Sequence, residues 1–164
     1  MRRRSLALVG KGESALQLAV FNLGPLEYAI DIMAIKLIVR MPSLRPVPRA
    51  HEFVEGVMEL RGVLVPVVDL RRRLGLAVTP PTRATKLVIA KVEGRLVGLI
   101  VDRAVGVHRV APTDVRPTPE WISGPEGAVF SGACMRATSL VLIIDLPRLL
   151  SSQEKLRLGE ILSG

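Results

Sequence analysis

Apolar residues in this chain gather into short runs closed by glycine, proline or a single charge, and no stretch sustains the three-to-four spacing of a long amphipathic helix. Leu16 to Leu23 reads as a first strand, Gly24 to Glu27 as a turn and Tyr28 to Val39 as the next extended stretch, together a hairpin candidate. Prolines at 42, 46 and 48 make Met41 to Pro48 an irregular connection, and Ala50 to Glu55 suits a single helical turn. Gly56 to Leu74 (GVMELRGVLVPVVDLRRRL) then reads as a strand buried on both faces. It holds Arg61-Gly62 inside the apolar run and Pro66 at an edge, bulge or barrel seam, and Leu70 to Leu74 makes a short turn ended by Gly75. Val78 to Thr85, with Pro80-Pro81, is a linker. Leu87 to Val92 and Leu96 to Val101 flank Glu93-Gly94 as the clearest hairpin, with 104 to 110 extending its second strand. Ala111 to Gly127 reads as loop, Leu140 to Leu146 as a buried strand, and Ser151-Ser152-Gln153-Glu154 as a capping box opening a short C-terminal helix over 151–164.

The two halves echo one another. VLVPVVDLRRRL at 63–74 matches SLVLIIDLPRLL at 139–150, Asp69 lies 76 residues before Asp145, and Gly56 falls opposite Gly132 at that same spacing. The hairpin around Gly24 is echoed around Gly94. Two strand-rich repeats without a long helix predict an all-β fold of two small barrels, with approximate halves 15–80 and 84–150 burying apolar surface against each other. Residues 1–14 read as a disordered basic arm.

Composition narrows the chemistry. Aromatics make up 3% of the 164 residues against 49% hydrophobic residues overall, so the core is built from Val, Leu, Ile and Ala. The net charge of +8 comes from 18 Arg and 5 Lys. Such a bias admits a basic nucleic-acid-binding small barrel, but binders of that kind cluster charge with stacking aromatics, and genome composition accounts for much of the arginine. A single cysteine, Cys134, excludes an intramolecular disulfide and suits a small buried hydrophobe in a reducing compartment. His51 and His108 stand at no metal-ligand spacing, and Gly10 to Ser14 lacks the glycine spacing of a phosphate loop. Asp31, Asp69, Asp102 and Asp145 all close apolar strands, where aspartate characteristically accepts backbone N–H groups of the following turn. Arg71-Arg72-Arg73 reads as a solvated face, and Trp121 as the cover of a barrel end or a partner anchor. Neither a signal peptide nor a membrane span is expected, which places the chain in the cytoplasm, and no catalytic group, cofactor or metal site emerges.

FNLGPLEYAIDIMAI at 21–35, PRAHEFVEGVMELRGVLVPVVDLRRRLGL at 48–76, LVGLIVDRAVGV at 96–107, DVRPTPEW at 114–121 and LVLIIDLPRLL at 140–150 resemble the CheW family of chemotaxis adaptors. The resemblance implies two SH3-like five-stranded β-barrel subdomains packed around a shared hydrophobic core, without catalysis. It also implies a CheA-type histidine kinase regulatory domain, the cytoplasmic tip of chemoreceptors and other CheW-like domains as partners, in receptor arrays. An apolar groove near the barrel junction would take the receptor tip. Carried over by motif, Ile35, Arg61, Ala104 and Val107 are the receptor-side or array-critical positions, and Arg40, Met41, Leu44 and Gly56 the kinase side. The family has an acidic residue where Leu37 stands here, a natural partner for the LRG arginine, and its usual NLRG is ELRG. Arg61, placed within an apolar run, is therefore expected to seek Glu59, another acid, a carbonyl, solvent or a partner protein. A divergent relative that binds receptor but not kinase is the alternative this departure raises.

Overall fold

The computed structural model describes residues 15–48, 53–118 and 129–150, within which ten strands form two five-stranded sheets. In chain order they are β1 (Leu16–Leu23), β2 (Leu26–Asp31), β3 (Ile35–Arg40), β4 (Val54–Leu60), β5 (Val63–Asp69), β6 (Lys86–Val92), β7 (Arg95–Val101), β8 (Arg103–Val110), β9 (Phe130–Arg136) and β10 (Ser139–Ile144). Short helices α1 (Leu70–Arg73) and α2 (Leu146–Leu149) follow β5 and β10. One sheet has the order β8-β1-β2-β10-β9 and the other β3-β6-β7-β5-β4. The all-β, two-sheet architecture is the one expected.

The sheets are not the sequence halves 15–80 and 84–150. Each half gives its opening hairpin to one sheet and its last three strands to the other, so β1 and β2 sit with β8 to β10, and β6 and β7 with β3 to β5. The crossing occurs at aspartates. Asp31 leaves β2, accepts the Met33 N–H at 2.9 Å and caps a single 3₁₀ turn over Ile32–Ala34, which sends the chain into the second sheet. That turn breaks the stretch expected to run unbroken from Tyr28 to Val39. Asp102 marks the return, and β8, expected as an extension of β7, pairs instead with β1 of the other sheet.

Burial explains why the central strands are apolar on both faces. Alternate residues of β10 point into different clusters: Val141 and Ile143 join Leu18, Val20 and Ala29 inside the first sheet, while Leu142 and Ile144 enter a core shared by both sheets. β6 does the same, with Leu87 and Ile89 packing on Val65 and Val67, and Val88 and Ala90 facing the shared core. Leu23 and Ile30 meet Val68, Leu99 and Val101 there, which joins the two sheets. A strand between two cores needs no polar face, and its period-two alternation disappears from the sequence.

The 76-residue echo is structural. A Cβ at Gly56 would collide with the Arg45 carbonyl oxygen, and one at Gly132 would lie 2.9 Å from that of Arg116. Those glycines let an extended segment cross the outer strand, where Arg45 and Val57 exchange backbone hydrogen bonds of 2.9 Å and Arg116 and Ala133 exchange bonds of 2.8 Å. Two exposed strand edges are thereby covered. Pro66 lies where no N–H is missed. It faces Val57, whose N–H goes to Arg45, and the parallel pairing of β5 with β7 begins only at Val67.

Three further expectations are corrected. Val54 and Glu55 begin β4 rather than ending a helical turn. Arg61-Gly62, read as part of one buried strand, is the two-residue turn between β4 and β5. β9 was not anticipated, because Ser131, Gly132 and Cys134 interrupt its apolar pattern. The expected basic arm, the C-terminal helix, His51 and Trp121 lie outside the described residues.

Candidate partner-binding surfaces

Leu60 pairs with Val63, and both residues of the turn between them have positive φ, 51° at Arg61 and 82° at Gly62. That geometry matches the right-handed twist of the flanking strands and favours glycine at the second position. Arg61 is therefore exposed at a hairpin tip and makes no hydrogen bond or ion pair with another described residue. The expectation of an arginine inside a buried strand fails for that reason; of the partners expected for it Arg61 meets solvent, and Glu59, also exposed, does not pair with it. Arg61 lines an open groove of about 710 Å³ together with Leu37, Val63, Leu64 and Leu96. Leu37 thus stands beside Arg61, as the family comparison of this position anticipates, and supplies apolar surface in place of a carboxylate.

Arg40 and Met41 come together at the far end of β3 in a cavity of about 720 Å³ that also involves Arg83 and Lys86. Leu44 is half-buried against the small core of the second sheet and passes over Gly56, whose missing Cβ would be 3.2 Å from the Leu44 Cβ. Gly56 itself is buried, so its contribution is close backbone approach, while Arg40, Met41 and Leu44 offer side chains. Ile35, at the start of β3, packs against the shared core. Ala104 and Val107 lie on exposed β8 of the other sheet, with Val107 56% accessible. The structure therefore groups Arg61 with Leu37 and Arg40 with Met41, and puts Ala104 and Val107 on a separate sheet edge.

Between the sheets lies a charged junction that sequence reading missed. Asp102 accepts the Gly24 N–H at 2.8 Å and the Arg71 Nε–H at 2.9 Å, and Arg71 donates again to the Ala77 carbonyl. Hydrogen bonding from Arg71 holds the Asp102 carboxyl below the usual carboxylate range, outweighing the opposite effect of burial. Arg72 donates to Glu55 at 2.7 Å, and Arg73 donates to the Leu149 carbonyl at 2.7 Å with its guanidinium over the Phe53 ring. The Arg71-Arg72-Arg73 run is thus a set of anchors and not a solvated face. Its one sequence signal was position, since Arg73 and Leu149 occupy equivalent places 76 residues apart.

Asp31, Asp69 and Asp145 accept backbone N–H groups of the following turn, as expected of a strand-closing aspartate, whereas Asp102 accepts from the distant Gly24 and Arg71 instead. Asp69 and Asp145 cap α1 and α2 by accepting the N–H groups of Arg71 and Arg148 at 2.9 and 3.1 Å. Burial pushes the Asp69 carboxyl up, against the hydrogen bond from Arg71. The Cys134 thiol is buried and is likewise pushed up by burial, the opposite of a reactive thiolate. No group of three or more His, Cys, Asp and Glu side chains able to hold a metal ion occurs among the described residues.

The CheW-like domain family model matches residues 17–154. The chain belongs to the CheW-like domain family. The chemotaxis protein CheW of Treponema pallidum is 33% identical over 153 residues, covering 91% of this chain and 90% of that protein. The chemotaxis protein CheW of Rhizobium meliloti is 32% identical over 139 residues, covering 85% and 90%. The crystal structure of scaffolding protein TtCheW from Thermoanaerobacter tengcongensis superposes with a TM-score of 0.79 at 27% identity, covering 86% of this chain and 96% of that one. CheW-family membership agrees with the two-sheet fold and with a scaffold that performs no catalysis.

Proposed function

We propose that this CheW-family protein is a non-catalytic chemotaxis adaptor that couples the cytoplasmic tips of chemoreceptors to the regulatory domain of a CheA-type histidine kinase, in the cytoplasm and within receptor arrays. The observation that carries the reading is the family match across both sheets, joined with two separate exposed surfaces on one body. Arg40, Met41 and Leu44 form the kinase side, with Gly56 holding the backbone beneath Leu44. Arg61 at its hairpin tip, Ala104 and Val107 on β8, and Ile35 at the root of β3 form the receptor or array side. Other CheW-like domains are candidate neighbours, since kinase regulatory domain and adaptor would share the fold. No helix among the described residues is long and apolar enough to cross a membrane.

The mechanism is geometric. A shared core and the Asp102–Arg71 junction fix the two sheets relative to each other, so two weak interfaces are presented at a set spacing. Each binding event then raises the effective concentration for the next, and modest contacts assemble cooperatively. Calorimetric titration of the full chain with a receptor-tip fragment and with a kinase regulatory domain, each alone, tests the assignment. Val107→Asp is expected to weaken the receptor fragment selectively and Met41→Asp the kinase domain selectively. Retained receptor binding with no kinase binding by the unsubstituted chain would select the receptor-only relative instead.

A further inference from the structure

β3 is an edge strand, and the grooves at its two ends share a chemistry. The one at the Arg61 turn is lined by four cations, Lys36, Arg61, Lys91 and Arg95, and by no acid. The one at the opposite end has Arg40, Arg83 and Lys86, again with no acid. None of the seven side chains is hydrogen-bonded or ion-paired to another described residue. Glu93 lies next to the first groove without lining it and has an interaction of its own. Arg40 and Lys86 are moreover directly opposite each other across β3 and β6. Like charges in that position destabilise a sheet. The Arg61 groove is also aliphatic, through Leu37, Val63 and Leu64, and Ile38 follows on β3 towards the other end; these four side chains are from 36% to 50% exposed.

We propose that β3 is the centre of a docking face for a protein surface whose aliphatic ridge is flanked on both sides by carboxylates. The proposal deepens the adaptor reading by naming the chemistry that its partner presents. A carboxylate at each end relieves the Arg40–Lys86 repulsion and pairs the cations of the Arg61 groove, while Leu37 and Ile38 lose water against the ridge. A phosphate backbone would satisfy the cations but leave the four aliphatic side chains against a polar chain, and no aromatic side chain lines either groove to stack a base. The chemistry favours protein over nucleic acid.

The test is a titration of the full chain with three probes: the receptor-tip fragment, the kinase regulatory domain and a synthetic amphipathic helix of Leu and Glu. It is run at low and high salt and followed by amide chemical shifts. Arg61→Glu/Arg95→Glu is expected to weaken the partner domain that uses this face by about tenfold or more, because two attractions become repulsions. Arg61→Gln/Arg95→Gln should give an intermediate loss, and Arg116→Glu on the other sheet none. Affinity for that domain and for the peptide should fall as salt rises. Peptide shifts should map to 36–40, 60–64 and 91–96. The proposal is overturned if the charge-reversed protein, folded by its unchanged thermal midpoint, binds as the Arg116→Glu control does. It is also overturned if a mixed-sequence DNA duplex binds more tightly than the peptide and shifts those residues. Should neither domain bind, the adaptor reading fails, and the peptide map alone decides the chemistry of this face.

Discussion

Arg61 and Gly56 look alike in the sequence, two motif residues inside one apolar run, yet the fold gives them opposite duties. Arg61 is at the exposed tip of a turn and touches no described acid, so Arg61→Ala should change stability by no more than about 0.5 kcal/mol in denaturant unfolding while still weakening assembly. Gly56, at φ 154° beneath the Arg45 carbonyl, has no room for a side chain. Gly56→Ala should destabilise by about 3 kcal/mol, as should Gly132→Ala at the equivalent crossing, read from urea midpoints. Asp102 carries the junction. Because Arg71 lowers its folded pKa below the unfolded value of about 3.9, its stabilisation is complete above that value and is lost as pH falls through the folded one. Asp102→Asn should therefore unfold at lower urea at neutral pH, by about 2 kcal/mol, and should lose part of the acid sensitivity of the unsubstituted chain. The LRG motif singles out Arg61 but does not tell that it is solvated. The two positive φ values of the turn decide that, and only the pairing of Leu60 with Val63 reveals it.

Strands are legible in this chain wherever they are buried on one or both faces by aliphatic residues. β1, β6, β7 and β10 follow from Val, Leu and Ile runs bounded by Gly, Pro or Asp. β9 escaped because its Gly132 and small residues serve the crossing with Arg116, a contact fixed by tertiary structure rather than propensity. β8 looked like a continuation of β7 because both are extended, and the change of sheet at Asp102 has no local signature beyond a single acid. The aspartate caps were readable because strand-end Asp has few better uses. Replacing Asp69 or Asp145 by Ala should cost about 1 kcal/mol each, measured by thermal unfolding, through the unsatisfied N–H groups of α1 and α2.

At the scale of the whole molecule, the internal repeat was visible but its exchange of strands was not. The echo of 63–74 in 139–150 is real, and yet each repeat completes the sheet begun by the other. A fragment spanning 15–80 or 84–150 should therefore remain unfolded in isolation, while the full chain unfolds in one cooperative transition; circular dichroism of the fragments and the chain checks both. Such interdependence suits a scaffold, since a body that cannot hinge between its two sheets holds its binding surfaces at a constant spacing. The most direct measurement of the adaptor claim is bridging. A receptor-tip fragment is immobilised, and a kinase regulatory domain is passed over it with and without this protein. Retention of the kinase domain beyond its own background, only when the full chain is present and abolished by Val107→Asp, is the predicted result. Equal kinase retention with and without the chain would contradict the account.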